Sequence, residues 1–422
     1  MDMRTANDFN ASKSKTGFVS MQQAKARLSA IITEINSQIS DPVNRYPEIS
    51  KNSRLSGIAL NAKMRPLTRG ENETEAGCYI FRLENDMFAI MSANASAPEL
   101  LAVGKGYPNF EDSTANLPNP EYWKPVLPVD TILVNEANDT IISRIIDTKY
   151  SVIKENICPV KWGNKHPFNS QLNWIVNGYN PADGSPKLVR PAAGCVAVSL
   201  AQIMTAEELR GAYYKDHFYD WDMLSQFKFA SDFVGNAEAT NQIGLLFKDL
   251  LDPENLHVSQ WGENVTWVYS YSIDRTLENF HFKETGKYTG YDFDCVKNEL
   301  DNNYPVIFDA TGGKDSIPEK LGGHMWVCHG LLKATYTIEY YVMNKNSVNA
   351  PTYLYTTTKD SWYLQMNWGW DARADGFYLA KFDDFLNNIK GPDIVEDESY
   401  PTTGYNIYQP NSTWIRYGIR FK

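Results

Sequence analysis

The sequence predicts an α+β fold, because helical and extended patterns occur in separate segments of the chain. A capping-box pattern at residues 20–23 precedes apolar residues at helical spacing, which predicts a helix over about residues 20–38. Two β-rich runs at residues 78–83 and 87–91 flank a short polar turn and predict a hairpin. After Gly194 nearly every residue is small or apolar, which predicts a helix that is buried on almost all sides.

The chain length predicts two domains. A chain of 422 residues exceeds one ordinary hydrophobic core, and its 43% hydrophobic residues are enough to fill sizeable cores. We expect a disordered lead over residues 1–18, a small α+β domain over residues 19–150 and a larger domain over residues 151–422. The small domain carries no set of residues that could act as nucleophile, base or metal site. Its last segment, residues 130–148, is predicted to be a polar helix.

Composition excludes several classes of function. The formal charge of -11 argues against nucleic acid or an anionic membrane as a partner. No stretch reaches the ~18 apolar residues that a membrane span requires. Five scattered cysteines are too few for a disulfide framework, and the six histidines lack metal-ligand spacing. We therefore expect neither a metal nor an organic cofactor.

The first residues are polar and lack the apolar region of a signal peptide. Either the protein is cytoplasmic, or a targeting segment was removed ahead of this sequence. The second interpretation is favoured by the catalytic pattern described next.

Three short segments contain residues that could carry chemistry. Cys195 follows Gly194 at the start of the buried helix, where free N–H groups and the helix dipole lower the pKa of a thiol. His324 follows two glycines and begins an apolar run, and Asn367-Trp368 lies in an aromatic strand-like segment. In such a set the Asn amide oxygen accepts a ring N–H of the His, and the indole shields that bond from water. Taken singly, each residue is also compatible with an ordinary core position.

Taken together and in this order, these segments resemble the streptopain-like cysteine peptidases, which have a papain-like catalytic domain. The resemblance includes the segment after Lys161, which is similar to the start of the mature enzyme in that family, and covers roughly residues 20–422. It implies that Cys195 is the nucleophile and His324 the general base, with Asn367 orienting the His and Trp368 covering that pair. It also implies that residues 19–150 are an inhibitory pro-domain.

The same resemblance implies the remaining parts of the site. The oxyanion hole would use the backbone N–H of Cys195 and a side-chain amide, where this sequence has Asn164 and the family commonly has Gln. Asn is one methylene shorter than Gln, so its donor has less reach. The expected substrate-binding residues are Gly194, Gly323, Met325 and Trp370.

The sequence departs from the family between His324 and Asn367, where 42 residues lie instead of a short hairpin. The excess, residues 335–360, predicts an extended β-hairpin or a loop insertion. It would either shape substrate access or form a hairpin at the edge of the sheet.

The sequence therefore predicts a secreted bacterial cysteine endopeptidase that is made as a zymogen and acts on protein or peptide substrates. One alternative is a catalytically weak or inactive papain-like module for binding or adhesion. The other is a thiol amidase or transglutaminase that uses the same Cys–His pair.

Overall fold

The computed structural model describes residues 18–49, 57–60, 67, 76–94, 98–106, 133–134, 140–269, 271–284, 286, 288–311, 323–343, 351–382 and 413–421. The α+β class is confirmed, since these residues form both α-helices and a large antiparallel sheet. The α-helices are α1 (Met21–Asn36), α2 (Cys195–Ile203), α3 (Trp221–Leu224), α4 (Ala237–Leu250), α5 (Ser272–Asn279) and α6 (Phe293–Asp301).

The strands in chain order are β1 (Gly57–Leu60), β2 (Cys78–Arg82), β3 (Met87–Ser92), β4 (Leu100–Lys105), β5 (Leu133–Val134), β6 (Thr140–Lys154), β7 (Ile175–Tyr179), β8 (Pro186–Val189), β9 (Tyr213–Tyr214), β10 (His217–Phe218), β11 (Val258–Gln260), β12 (Trp267–Val268), β13 (Phe282–Glu284), β14 (Tyr288–Gly290), β15 (Val306–Thr311), β16 (Gly323–Met343), β17 (Thr352–Asn367), β18 (Gly376–Phe382), β19 (Thr413–Arg416) and β20 (Ile419–Phe421).

The first predicted elements are confirmed. Helix α1 begins after the N-cap Ser20, whose hydroxyl accepts from the Gln23 amide while the Gln23 side chain accepts from the Ser20 amide. Strands β2 and β3 form the predicted hairpin, and β4 continues it on the other side of β3. The predicted disordered lead at residues 1–18 lies outside the described residues apart from Phe18.

The prediction of a polar helix over residues 130–148 is wrong for the part that the structure describes. Residues 140–154 form the long strand β6, which pairs with β16 from Thr140↔Met343 to Lys154↔Leu331. The many β-branched residues of this segment suit a strand, and pairing with an already formed partner outweighs the weak helical propensity of its polar residues. The expected domain boundary near residue 150 therefore falls inside a paired strand.

The strands join into one sheet that spans both predicted domains. Its order is β1-β2-β3-β4-β18-β17-β16-β15-β19-β14, and β6 pairs with β16 along its outer half. Strand β16 is thus hydrogen-bonded to β15, β17 and β6. The predicted insertion is a hairpin: β16 and β17 extend together to residues 343 and 352, and β6 makes it three-stranded.

Two hydrophobic clusters cover the opposite faces of β15 and β16. The first contains α1, β2 to β4 and residues such as Phe308, Trp326 and Trp368. The second contains α2, α4 and residues such as Ile307 and Met325. The N-terminal segments therefore share their hydrophobic core with the strands that carry His324 and Asn367.

The two predicted domains meet where β4 pairs with β18, with Gly104 opposite Gly376. A Cβ atom on Gly376 would lie 2.0 Å from the Val103 carbonyl oxygen, and one on Gly104 would lie 2.6 Å from the Asp375 carbonyl oxygen. The two strands can approach this closely because neither residue has a side chain.

Within the part of the chain that the structure describes, no helix is long and apolar enough to cross a membrane. The same residues contain no group of His, Cys, Asp or Glu side chains arranged to hold a metal ion. Three of the five cysteines, Cys78, Cys158 and Cys328, are buried thiols.

We predict that Gly376→Ala destabilises the protein by about 1–3 kcal/mol, because the new methyl group forces β4 and β18 apart. Urea denaturation measures the loss. Gly290→Ala in β14 is the matched control, since a Cβ there meets nothing within 4 Å. Equal effects of the two substitutions would contradict a tight junction at Gly376.

Candidate active site

Cys195 is the first residue of α2, as predicted. The preceding Gly194 has φ +90°, a conformation that glycine adopts without strain, and it brings the chain against the Thr266 carbonyl oxygen, 3.0 Å from the position of a Cβ. Residues 197–203 of the helix are buried. The thiol thus lies on a rigid helix, at the end where the backbone N–H groups have no partner within the helix.

The thiol is uncharged at neutral pH in this structure. Burial raises the pKa of Cys195 to about 11, and the nearby Asp309 carboxylate adds to that rise. Hydrogen bonds from the backbone amides of Met325, Val196 and Cys195 itself act in the opposite direction. The hydrogen bond from the Met325 amide places the sulfur beside the first residues of β16, one residue from His324.

His324 lies in a stack of indole rings. Its ring centroid is 4.5 Å from that of Trp370, with an interplanar angle of 19°, and Trp326 and Trp368 stack nearby. Its Nε2 donates to the carbonyl oxygen of Trp368 at 3.1 Å. Burial lowers the pKa of His324 to about 3, against the opposing effect of that hydrogen bond, so the imidazole is neutral.

The alternation of side chains along β16 separates His324 from the thiol. His324 stacks with Trp326 on the face of the first cluster, whereas Met325 packs in the second cluster with the helix that begins at Cys195. The structure brings the sulfur to the backbone next to His324, and it directs the imidazole to the other face of the strand.

Asn367 does not accept the ring hydrogen that we expected it to accept. Its Oδ1 receives Gln202 Nε2 at 2.9 Å and the amide of Gly369 at 3.2 Å, and its Nδ2 donates to the Val160 carbonyl oxygen at 2.7 Å. With both lone pairs of Oδ1 engaged, the acceptor for His324 is the backbone of the next residue, Trp368. Trp368 therefore holds the ring directly as well as covering it.

The Trp368 backbone is itself held by a buried carboxyl group. Its amide donates to Asp375 Oδ1 at 2.8 Å. Burial raises the pKa of Asp375 to about 6, and Lys161, whose Nζ is 4.0 Å from Asp375, counteracts this shift. Lys161 also lies 3.1 Å from His329 Nε2, so a buried polar network supports the loop that binds His324.

Sequence reasoning missed the supporting residues Gln202, Asp375 and Lys161. Gln202 is one of two polar residues in an apolar helix, which was the available signal. Asp375 and Lys161 gave no comparable signal, since charged residues near a turn or a strand end are usually solvated. Their burial together is a result of the tertiary structure.

The remaining predicted residues surround Cys195 and His324. The Asn164 carbonyl oxygen accepts a hydrogen bond from the amide of Ala193 at 2.9 Å, which brings this residue to the chain just before Cys195. Its side-chain oxygen is buried and has no hydrogen-bond partner in the described structure. Gly323 begins β16, and Trp370 covers the imidazole.

Comparison with known proteins identifies the class. A profile of the Peptidase C10 family matches residues 162–378, just over half of the 422-residue chain. The chain belongs to this family, which is one of cysteine peptidases.

The individual relatives share little sequence identity with this chain. Streptopain from Streptococcus pyogenes serotype M1 is 21% identical over 364 residues, which cover 78% of this chain and 81% of streptopain. A further streptopain from Streptococcus pyogenes gives the same figures. A fragment of prointerpain A from Prevotella intermedia is 17% identical and gives a TM-score of 0.46, covering 87% of this chain and 99% of the fragment.

We predict that Cys195 in the intact chain is alkylated slowly at neutral pH. With a pKa of about 11, roughly one thiol in a thousand is ionised at pH 8, so the alkylation rate rises about tenfold per pH unit from pH 7 to 10. Iodoacetamide labelling with peptide mass spectrometry measures the rate at Cys195 alone. A rate that is already maximal at pH 7 would contradict the raised pKa.

Proposed function

We propose that this protein is a bacterial cysteine endopeptidase that is made as a zymogen and hydrolyses peptide bonds, with Cys195 as nucleophile and His324 as base. The observation that carries the proposal is the position of the thiol: it lies at the start of α2 and accepts a hydrogen bond from Met325, the neighbour of His324. Membership of the Peptidase C10 family supports the same chemistry.

The reaction proceeds through a thioester. His324 takes the proton from Cys195, and the thiolate attacks the substrate carbonyl carbon to form a tetrahedral oxyanion. The intermediate collapses by breaking the C–N bond, and the amine leaves with the proton from His324. Water, deprotonated by His324, then attacks the thioester and releases the acid and the free thiol.

The oxyanion would be bound by the Cys195 backbone N–H and the Asn164 side chain. Support for Asn164 comes from its backbone bond to Ala193, which holds it beside the segment that precedes the nucleophile. Gly194, Gly323, Met325 and Trp370 would bound the substrate cleft at this point.

The charges in the intact chain favour a latent enzyme. The pKa of the thiol, about 11, lies far above that of the imidazole, about 3, so the proton stays on sulfur. Activity requires the His324 ring to leave the indole stack and face Cys195. There it would be more exposed to water, and its pKa would rise.

Residues 19–150 would act as the inhibitor in cis. Strand β4 contacts the loop that holds His324: the Lys105 amide donates to the Asp375 carbonyl oxygen at 2.8 Å, and the Ala374 amide donates to Lys105. Asp375 in turn holds the Trp368 amide, and the Trp368 carbonyl oxygen holds His324. A tethered strand needs little intrinsic affinity, because a short linker gives effective concentrations of about millimolar.

Secretion is part of the proposal. It is supported by the similarity to streptopain from Streptococcus pyogenes. The substrates would be proteins or peptides outside the cell.

We predict that Cys195→Ala lowers peptide hydrolysis by at least about 10⁴-fold, because no other group can form the thioester. Turnover of an unfolded protein substrate by the activated enzyme measures the loss, and a thermal melt shows that the variant is folded. Cys295→Ala is the matched control, since Cys295 is also a half-buried free thiol but lies on α6. Retained activity in folded Cys195→Ala would rule out the assignment.

We also predict that the intact chain is nearly inactive and gains activity on cleavage between Asp139 and Cys158. Lys149 lies in the middle of the paired stretch of β6, whereas Lys154 is the last paired residue at its end, so trypsin is expected to cut after Lys154 first. Limited proteolysis with N-terminal sequencing and a continuous assay follows both events.

Lys154→Gln is expected to delay activation by trypsin, and Lys149→Gln is the control that leaves its rate unchanged. Equal specific activity before and after the cut would show that residues 19–150 have a structural or targeting role instead.

A further inference from the structure

Asp309 is an acidic residue on the same face of the sheet as the thiol. In β15 it lies directly opposite Met325 of β16, and directly opposed residues in antiparallel strands direct their side chains to the same face. Its neighbour on that face, Ile307, packs in the second cluster together with Met325 and α2. Because the Met325 amide donates to Cys195, the carboxylate is close to the nucleophile, and its charge acts on the sulfur.

The surroundings of Asp309 leave its charge uncompensated by direct contact. Its Oδ2 accepts the Tyr288 hydroxyl at 2.8 Å, and no ion pair to Asp309 occurs among the residues that the structure describes. The charge of Arg416 acts on Asp309 from a distance, but this side chain is 4% exposed and pairs directly with Asp274 and with Glu284, at 3.4 Å from the latter. A single guanidinium is thus already shared by two other carboxylates.

Asp309 is also partly exposed. It is half-buried, while Val306, Ile307 and Phe308 before it are fully buried. A carboxylate beside a catalytic thiol opposes formation of the thiolate, because two negative charges at short range repel each other. A positive group bound next to Asp309 would remove that repulsion and would gain a charge-assisted hydrogen bond.

We infer that Asp309 is a specificity-determining residue of this enzyme, which binds the lysine or arginine side chain of a substrate polypeptide beside Cys195. This inference rests on the proposed peptidase function. A cationic substrate side chain would supply the positive charge that Asp309 lacks in the free protein. Substrates with a basic residue at one position would therefore be bound more tightly and cleaved faster than neutral ones.

A purely structural role for Asp309 predicts a different outcome. In that case the carboxylate only receives the Tyr288 hydroxyl and holds β14 near β15. Its loss would then affect all substrates alike. Matched peptides separate the two roles.

The test uses peptide pairs in which one residue is either arginine or citrulline, an uncharged isostere, placed at each position around the scissile bond. For the activated enzyme we expect one position at which arginine is preferred. Asp309→Asn should lower kcat/KM for that arginine peptide by about 10- to 100-fold and leave the citrulline peptide unchanged or faster. Equal losses for both peptides, or no preference in the unsubstituted enzyme, would overturn the inference.

Two variants serve as controls. Asp274→Asn removes a carboxylate of the same charge that is 64% exposed and pairs with Arg416, and it should leave the preference intact. Tyr288→Phe removes the hydrogen bond to Asp309 but keeps the carboxylate, and it should also keep the preference. If either control reduces the preference as much as Asp309→Asn does, the effect is not specific to the Asp309 charge.

A binding measurement separates this inference from the proposed function. Cys195→Ala, which cannot turn over, is titrated after removal of the N-terminal residues with the same fluorescent arginine and citrulline peptides. Tighter binding of the arginine peptide that is lost in Cys195→Ala/Asp309→Asn supports Asp309 even if the enzyme cleaves none of the peptides. Equal binding of the two peptides refutes Asp309 even if hydrolysis is confirmed.

Discussion

The alternation of side chains across β16 is the constraint on which the rest of this structure depends. The strand is paired with β15, β17 and β6, so it can neither shift in register nor rotate without breaking several ladders. Its first residues therefore have fixed faces: His324 lies with the indoles, and Met325 lies with α2. Each function that we assign to the site follows from which face a group occupies.

The face of β16 that carries His324 is buried and aromatic, and these surroundings determine the protonation state of the imidazole. An imidazole among three indoles is held uncharged because the low-polarity surroundings disfavour the cation more than one carbonyl hydrogen bond favours it. The Trp368 carbonyl oxygen fixes the Nε2–H tautomer and leaves Nδ1 as the basic nitrogen. This ring has the tautomer that a base acting on Cys195 would need, but it lies on the opposite face of β16 from the thiol.

The loop at residues 367–376 connects this site to the N-terminal segments. Gln202 of α2 holds the Asn367 amide, and Asp375 holds the Trp368 amide on a buried network with Lys161. Strand β4 binds the same loop through backbone hydrogen bonds and through the close approach at Gly104 and Gly376. Removing β4 would leave the β18 edge open and would free one side of the loop, so the strand is well placed to control the orientation of His324.

The sequence by itself determined the local elements and the identity of the chemical groups. Capping at Ser20, the hairpin around residues 84–86, the buried helix at Cys195 and the extended hairpin at residues 335–360 all follow from short-range patterns, because capping, turn geometry and periodicity act over a few residues. The Cys–His–Asn order was sufficient to indicate the family.

Only the tertiary structure decided which segments pair and which partners the site residues have. Residues 140–148 became a strand because a partner strand was available, although their polarity favoured a helix. The acceptor for His324 became the Trp368 backbone because Gln202, 165 positions away, occupies the Asn367 amide. Asp309 gained its position beside the thiol from the register of β15 on β16, and such long-range pairing leaves no trace in the local sequence.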